Sequence, residues 1–303
     1  MKKYILFIFF SFILTALLSA QNRYIVIPEN PRPGEPVTIA INDNVKEAKL
    51  FVNERQLAKS LFFIIPAENG KPGFMASVIT IPSTVRPGSA IIRLENEMGI
   101  VHDISIQITP RDFISEVIEL DPVNTGIRTD PNPQRTEEAN KLWAILSTTG
   151  NHVYHTGPFT TPVTSTRRTS FFGDRRVFKY SNGTSDTSVH AGVDFGVPTG
   201  TRVTACGAGR VILASMRIVT GNSVIIEHAP GIYSLYYHLD SISVQENSIV
   251  ETGTLLGLSG STGLSTGPHL HWEIRVSTEN TDPDALTNRS IVDKDLIISK
   301  IYN

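Results

Sequence analysis

Short hydrophobic runs with a period of two, separated by turns, dominate the chain between residues 22 and 110. Val37, Ile39 and Ile41 alternate with polar or small neighbours directly after Pro33-Gly34. In a second run, every other residue is apolar or histidine, so that these side chains would share one face of a strand: Ile100, His102, Ile104, Ile106 and Ile108. Such alternation is typical of strands that are buried on one side. We therefore predict an immunoglobulin-like β-sandwich over residues 21–110.

The pattern changes over residues 111–150, where proline follows an acidic or amide residue three times. These pairs interrupt regular structure and indicate a linker: Asp121-Pro122, Asp130-Pro131 and Asn132-Pro133. Within it, residues 136–146 have apolar side chains at helical spacing, and Glu137 and Glu138 lie in the first turn, where negative charge favours a helix. We predict one short helix there and expect Trp143 to pack in a core.

Residues 151–290 are again rich in strand-forming residues and in glycine. The candidate strands are Arg202–Ala205, Gly209–Ala214, Asn222–His228, Ser234–Leu239 and His269–Val276. The fold class predicted for the chain is mostly β, with a second β domain over 151–290 and a C-terminal tail over 291–303.

The N-terminus has the layout of a secretory signal peptide. Lys2 and Lys3 precede an apolar run from Tyr4 to Leu18, and small residues end at Ala20. The run is shorter than the roughly 20 apolar residues that span a bilayer. We expect residues 1–20 to be removed and the protein to be exported to the periplasm, the cell envelope or the exterior, with no membrane attachment afterwards. An uncleaved anchor is the alternative.

The composition gives no reason to expect a nucleic-acid partner, and it excludes an internal disulfide. The chain has 303 residues, with 27 Lys and Arg against 29 Asp and Glu. Without the two lysines of residues 1–20 the balance is 25 to 29, a formal charge of −4, which gives no electrostatic reason to bind nucleic acid. The single cysteine, Cys206, excludes an internal disulfide, and we interpret it as a small buried hydrophobe.

Two short stretches supply side chains that bind metals, His190-Ala-Gly-Val-Asp194 and His269-Leu-His271. Imidazole nitrogens and a carboxylate are zinc ligands, and three protein ligands with a fourth position for water are typical of catalytic zinc. On a strand, His269, His271 and Glu273 share one face. Glu273 then either orients a ligand imidazole or forms a salt bridge at the strand end. The sequence therefore predicts a zinc hydrolase.

Together with neighbouring motifs, these stretches make the chain similar to the lysostaphin/LytM family of zinc metalloendopeptidases, which cleave peptide cross-links in bacterial cell walls. The resemblance covers about residues 171–283. It includes Phe172-Gly173-Asp174-Arg175-Arg176, Gly200-Thr201, Gly221-Asn222-Ser223-Val224, Tyr236-Tyr-His-Leu239 and Ser265-Thr-Gly-Pro-His-Leu-His271. It implies a two-sheet antiparallel β domain of the duplicated hybrid motif type, with a long groove.

The resemblance implies that His190, Asp194 and His271 bind one Zn²⁺ ion per catalytic domain. It also implies that His238 and His269 are the catalytic pair beside the metal. A neutral imidazole can accept a proton from water, and a protonated one can stabilise an oxyanion or protonate a leaving amine. Because His269 shares a strand face with a ligand, we favour it as the base, but the sequence leaves the two roles open.

The implied substrates are the stem peptides or cross-bridges of peptidoglycan, and the bond that is cut stays open. Arg175 and Arg176 are candidates for binding a substrate carboxylate, with Arg175 the preferred one and a solvated strand face as the alternative. Tyr236, two residues before His238, is a candidate for the groove wall. The segment Pro158–Pro162 is a candidate for occluding the groove. The alternatives are a non-catalytic relative that binds cell wall or activates a hydrolase, and a metal-binding adhesion protein.

Overall fold

The computed structural model describes residues 24–302, and the predicted signal peptide lies outside them. Within this range, 21 strands and four helices confirm the prediction of a mostly β protein. None of the helices described between residues 24 and 302 has both the length and the apolar character needed to cross a membrane.

Eight strands form two antiparallel four-stranded sheets in the N-terminal part. The strands are β1 (Tyr24–Ile27), β2 (Pro36–Ile41), β3 (Glu47–Val52), β4 (Arg55–Leu61), β5 (Phe63–Ile65), β6 (Phe74–Thr80), β7 (Gly88–Asn96) and β8 (Gly99–Ile108). The sheet orders are β1-β2-β6-β5 and β4-β3-β7-β8. These orders agree with those of immunoglobulin sandwiches that have one added strand. Alternate residues such as Ile39, Leu50 and Ile92 form the core between the two sheets.

Residues 111–150 contain more regular structure than the predicted single helix. Strand β9 (Ser115–Glu119) is followed by helices α1 (Pro122–Thr129) and α2 (Pro133–Ser147). The side chains of Asp121 and Asn132 accept hydrogen bonds from the first turns of these helices. Proline is well suited to the first helical position because its missing N–H is not needed there. Two of the three X-Pro pairs that indicated breaks are therefore helix starts.

The prediction that Trp143 packs in a core is wrong, because its side chain is 63% exposed. Helix α2 packs on the sheet through Leu142, Ile145 and Leu146 instead. The apolar stripe of this helix therefore passes beside Trp143.

Twelve strands and two helices complete the part of the chain that the structure describes. They are β10 (Arg168–Ser170), β11 (Arg175–Lys179), β12 (Ser185–Val189), β13 (Val193–Phe195), β14 (Arg202–Thr204), β15 (Gly209–Arg217), β16 (Gly221–Ala229), β17 (Ile232–Ile242), β18 (Ile249–Val250), β19 (Leu255–Ser259), β20 (Leu270–Val276), β21 (Glu279–Thr281), α3 (Pro283–Thr287) and α4 (Lys294–Ile301). The large sheet has the order β10-β13-β20-β17-β16-β15-β18, with β14, β19 and β21 attached to it.

A small second sheet has the order β12-β11-β9. Strand β9 pairs with β11 in parallel, which places Glu116 opposite Arg176. The segment that follows the sandwich is therefore built into the C-terminal domain as an edge strand.

The two halves of the molecule share one hydrophobic core. Phe63 and Phe74 of the sandwich belong to the same buried cluster as Phe195 and Trp272 of the large sheet. The hydroxyls of Thr80 and Thr281 lie 2.6 Å apart across this contact, and both side chains are buried. Helix α4, in the predicted tail, buries Ile297 and Ile301 in the same cluster. The sandwich is thus packed against the C-terminal domain.

Candidate active site

Three adjacent strands bring the two sequence motifs together. In the pairing of β13 with β20, Asp194 lies opposite His271. In the pairing of β17 with β20, Tyr237 lies opposite His271. His190 precedes β13, and its amide donates to the carbonyl of Asp174 at 2.9 Å. The sheet register therefore sets the positions of residues that are 77 or more positions apart in the chain.

His190, Asp194 and His271 form a buried cluster whose ligand atoms all lie within 4.8 Å of one another. The Oδ1 atom of Asp194 is 2.7 Å from Nδ1 of His271 and 3.2 Å from Nε2 of His190. The two ring nitrogens are 3.0 Å apart. The structure thus brings together the three predicted metal ligands.

The outer hydrogen bonds of the two imidazoles show which nitrogens face the cluster. His190 Nδ1 is 2.8 Å from the carbonyl oxygen of Phe171, which can only accept a hydrogen bond. His271 Nε2 is 3.0 Å from Oε1 of Glu273. In neutral imidazoles these outer nitrogens carry the protons, so Nε2 of His190 and Nδ1 of His271 present lone pairs. With Asp194 Oδ1, three electron-pair donors converge on one point, which is the donor set that a divalent cation requires.

The charges around His271 agree with a cation at this point. Burial opposes protonation of His271, but the carboxylates of Asp194 and Glu273 outweigh burial and raise its pKa to about 9. Burial likewise opposes ionisation of Asp194, yet His271 and His190 hold the pKa of that carboxyl well below its usual range. The pocket therefore favours positive charge between the imidazole and the carboxylate.

Glu273 orients His271, and Arg275 in turn holds Glu273. Arg275 Nη2 lies 2.7 Å from Oε2 of Glu273, whose other oxygen contacts His271. A carboxylate behind a ligand imidazole fixes its tautomer and raises its basicity. One oxygen of Glu273 contacts the imidazole, as the first sequence interpretation expected, whereas the salt bridge of the other oxygen with Arg275 lies in the middle of β20 and not at a strand end.

His238 and His269 lie beside the cluster, with their ring centroids 4.7 Å apart. Nδ1 of His238 contacts the carbonyl of Thr262 at 2.8 Å, and Nδ1 of His269 contacts the carbonyl of Gly267 at 2.8 Å. Both rings therefore present Nε2 as the free nitrogen, and that of His269 is 3.9 Å from Asp194 Oδ1. Burial, followed by the neighbouring His269 and His271, lowers the pKa of His238 to about 3, and burial also lowers the pKa of His269.

The five predicted histidine and aspartate side chains line one cavity of about 230 Å³. Other residues of its wall are Ile118, Leu120, Arg128, Arg176, Tyr237 and Leu264. The strand β9 and helix α1 thus contribute to the wall of the cavity.

The prediction that Arg175 binds substrate is wrong, because its side chain points away from the cavity. Arg175 Nη2 donates to the carbonyl of Ser83 at 2.7 Å, and its guanidinium lies over Phe113. The neighbouring Arg176 faces the cluster, where Nη2 donates to Asp194 Oδ2 at 2.9 Å. Adjacent residues on a strand point to opposite faces, so the Arg-Arg pair in the sequence did not show which one faces the site.

The prediction that Tyr236 lines the groove is also wrong, because Tyr236 is fully buried in the core. Between the pairs Val224–Tyr236 and Asn222–Leu239, strand β17 has two residues where β16 has one. This β-bulge, with His238 at φ +60°, breaks the alternation on which the prediction depended. Tyr237 faces the site instead, and its ring stacks on His271. The Tyr-Tyr sequence gave no signal for the bulge.

The segment Pro158–Pro162 does not contact the cluster. Phe159 is buried in the shared core and packs against the ring of His228 at a centroid distance of 4.7 Å. His228 itself is buried, between the carbonyl of Ala208 and the hydroxyl of Ser234. The cavity wall that precedes this segment in the chain comes from β9, α1 and the residues between them, namely Ile118, Leu120 and Arg128.

A family comparison covers the segment that contains this site. Residues 188–283 match the model of peptidase family M23. The chain carries an M23 peptidase domain. The matched segment contains all five histidine and aspartate residues of the cavity. The resemblance to lysostaphin/LytM-type enzymes that the motifs indicated is confirmed.

Curated relatives of this M23 domain include two named endopeptidases. The chain is 41% identical over 95 residues to DD-carboxypeptidase/endopeptidase Mpg of Neisseria meningitidis, covering 31% of the chain and 22% of the relative. It is 40% identical over 110 residues to peptidoglycan DD-endopeptidase ShyA of Vibrio cholerae, covering 36% of the chain and 25% of the relative. The chain therefore spans about a quarter or less of the length of these curated relatives.

The overall fold has a solved counterpart as well. A crystal structure from Pseudomonas aeruginosa, assigned to peptidase M23, superimposes with a TM-score of 0.56 at 23% identity. The match covers 85% of this chain and 94% of that chain. The similarity therefore extends beyond the M23 domain and shows a shared fold.

Proposed function

We propose that the protein is a zinc-dependent endopeptidase that hydrolyses peptide cross-links of bacterial peptidoglycan. The observation that carries the proposal is the convergence of three lone-pair donors from His190, Asp194 and His271, next to two further imidazoles. The outer hydrogen bonds leave one lone-pair nitrogen of each imidazole facing Asp194, which is a donor set that suits a divalent cation. A catalytic site needs both a cation position and proton-transfer groups beside it, and this cavity offers both.

The residues divide into ligands and proton-transfer groups. When bound by His190, Asp194 and His271, zinc would polarise the scissile carbonyl and lower the pKa of water to about 7. His269 would accept the water proton at Nε2, because Nδ1 is committed to Gly267 and Nε2 faces Asp194. His238 could stabilise the oxygen that gains negative charge only when it is protonated, because Nδ1 contacts the carbonyl of Thr262 and a donor at Nε2 needs a second proton.

The substrate class is proposed from the named relatives. Both the Neisseria and the Vibrio proteins carry names that specify a DD-endopeptidase, and the second name specifies peptidoglycan. Peptidoglycan lies outside the cytoplasmic membrane, so this proposal requires export, in line with the signal peptide predicted over residues 1–20. Stem peptides or their cross-bridges would then be the partners of the groove.

The test separates metal binding from catalysis. In His271→Ala we expect zinc and activity to be lost together. In His269→Ala we expect zinc to be retained and turnover to fall by at least about 100-fold, as for loss of a general base. His152→Ala, an exposed histidine outside the cavity, is the matched control. Zinc is measured by elemental analysis, and activity by mass spectrometry of products from cross-linked muropeptides of known linkage.

The same experiment decides between the enzyme and a non-catalytic wall-binding protein. If the zinc-loaded protein binds purified cell wall but releases no fragment, and His269→Ala behaves identically, the enzymatic proposal is wrong. If product forms, its mass identifies the bond that is cut.

A further inference from the structure

The Oδ2 atom of Asp194 accepts a hydrogen bond from a side chain that lies outside the family-matched segment 188–283. Arg176 Nη2 donates to Asp194 Oδ2 at 2.9 Å and to the hydroxyl of Ser170 at 2.7 Å. Arg176 Nε donates to Oε1 of Glu116 at 2.5 Å. One guanidinium therefore connects the carboxylate of Asp194 to strand β9.

Because of this contact, the two oxygens of Asp194 have different partners. Oδ2 accepts from Arg176, whereas Oδ1 faces the lone pairs of His190 and His271. A carboxylate whose second oxygen accepts a charge-assisted hydrogen bond is restrained to offer one oxygen to a cation. With two imidazoles, this leaves a position open for a fourth ligand.

Glu116 balances the charge that Arg176 brings close to the cation position. A guanidinium adjacent to a divalent cation repels it, and the repulsion is strong where water is excluded. Arg176 has a 15% exposed side chain, and Glu116 forms an ion pair with it. Glu116 lies on β9, which reaches Arg176 through the parallel pairing of β9 with β11.

A second branch of the same network reaches His190. The hydroxyl of Ser170 donates to Oδ2 of Asp174 at 3.0 Å, and the same oxygen accepts from the amide of Phe171 at 2.8 Å. The carbonyl of Phe171 is the acceptor that fixes the tautomer of His190. Two of the three metal ligands are thus oriented by groups connected to Arg176.

We propose that Arg176 and Glu116 are positioning residues that restrain Asp194 to one-oxygen coordination, so that the docking of β9 sets the metal affinity of the site. This inference rests on the proposed function, because it presumes a divalent cation at His190, Asp194 and His271. It assigns a role to a strand that precedes the M23 domain in the chain.

The test uses two conservative substitutions in the full chain. Glu116→Gln keeps the acceptor oxygen for Arg176 but removes the balancing charge. Arg176→Lys keeps the charge but cannot reach Glu116, Ser170 and Asp194 together. Because loss of groups that orient metal ligands typically costs 10–100-fold in affinity, we expect each variant to bind zinc at least about tenfold more weakly. Affinity is measured by competition with a chromophoric chelator.

Two controls match these substitutions on the same strands. Glu119→Gln changes an exposed carboxylate of β9, whose side chain is 80% exposed. Arg175→Lys changes the arginine next to Arg176 that faces Ser83. We expect both controls to bind zinc like the wild type. Thermal unfolding of all metal-free proteins shows whether any variant has lost its fold.

Two further readouts distinguish positioning from a general structural role. In a double variant with Arg176→Met, which removes both the guanidinium and its charge, Glu116→Gln should add little to Arg176→Met, because Glu116 acts through Arg176. With Co²⁺ as the probe, Arg176→Lys should weaken the visible absorption, because a released Oδ2 raises the coordination number. Unchanged zinc affinity and an unchanged Co²⁺ spectrum in both folded variants would overturn the proposal. If the wild type binds no metal, the proposed function itself fails.

Discussion

The ring of Tyr237 lies parallel to that of His271, with 5.6 Å between ring centroids and 4° between ring planes. Tyr237 is 3% exposed, so the stack also shields one side of the imidazole from water. An aromatic pair of this kind is worth about 0.5–1.5 kcal/mol beyond burial. We expect Tyr237→Leu to weaken zinc affinity by about two- to tenfold, measured by chelator competition.

The adjacent Tyr236 provides the matched comparison. Its hydroxyl accepts from the amide of Cys206 at 2.9 Å and lies 3.0 Å from the hydroxyl of Ser234. Tyr236→Phe leaves a buried amide without its acceptor, which costs about 1–3 kcal/mol in the free energy of unfolding. We expect lower stability with unchanged zinc affinity. A variant that lost metal but not stability would contradict this assignment.

Gly192, between His190 and Asp194, has no room for a side chain. A Cβ there would lie 2.2 Å from the carbonyl oxygen of Trp272, which is backbone and cannot move independently. We expect Gly192→Ala to lower the free energy of unfolding by about 3 kcal/mol or more, at the upper end of overpacking effects, and to reduce zinc binding. Gly267→Ala is the control, since a Cβ there would meet nothing within 4 Å. Chemical denaturation of the metal-free proteins measures the free energy of unfolding of both variants, and chelator competition measures their zinc affinity.

His228 makes stability depend on pH. Burial lowers its pKa to about 3 from an ordinary value of 6.5. As pH falls, the unfolded chain takes up the proton first, so stability that is present above pH 6.5 is lost towards pH 3, by about 4 kcal/mol in all. We expect denaturation curves of His228→Gln to show a shallower loss over this range than the wild type. Parallel curves would contradict the prediction.

Cys206 should be inert in the folded protein. It is fully buried, and burial raises the pKa of its thiol to about 12. Reactivity requires an accessible thiolate. We expect no reaction with a disulfide reagent under native conditions and one thiol per chain after unfolding, measured by absorbance. Rapid native labelling would show that the core around Cys206 opens.

Much of the site was predictable because metal ligands carry a local signature. His190, Asp194 and His271 belong to short motifs, and the alternation over His269–Glu273 correctly predicts that His271 and Glu273 share a face. The period-two patterns likewise predict the mostly β fold. These inferences succeed where one strand follows its ideal geometry.

The errors arise where the geometry is set by another part of the chain. The bulge at Tyr237 and His238 depends on pairing with β16. As a result Tyr237 faces the site, and Tyr236, which was expected there, faces the core. Arg176 faces the site because β11 is oriented by β9 and β12. The role of Glu116 has no local signal, because it comes from a parallel strand pairing between segments 60 residues apart.

The parallel pairing of β9 with β11 has a consequence for how this protein can be divided. A fragment starting at residue 151 would retain every proposed ligand, yet the backbone of β11 would lose its neighbour and become an open edge. Leu120, which is buried against Phe178, would be gone as well. Open edges beside uncovered apolar side chains promote self-association. The full chain, which keeps both β9 and the sandwich that covers Phe195 and Trp272, should therefore remain monomeric at concentrations at which this fragment aggregates.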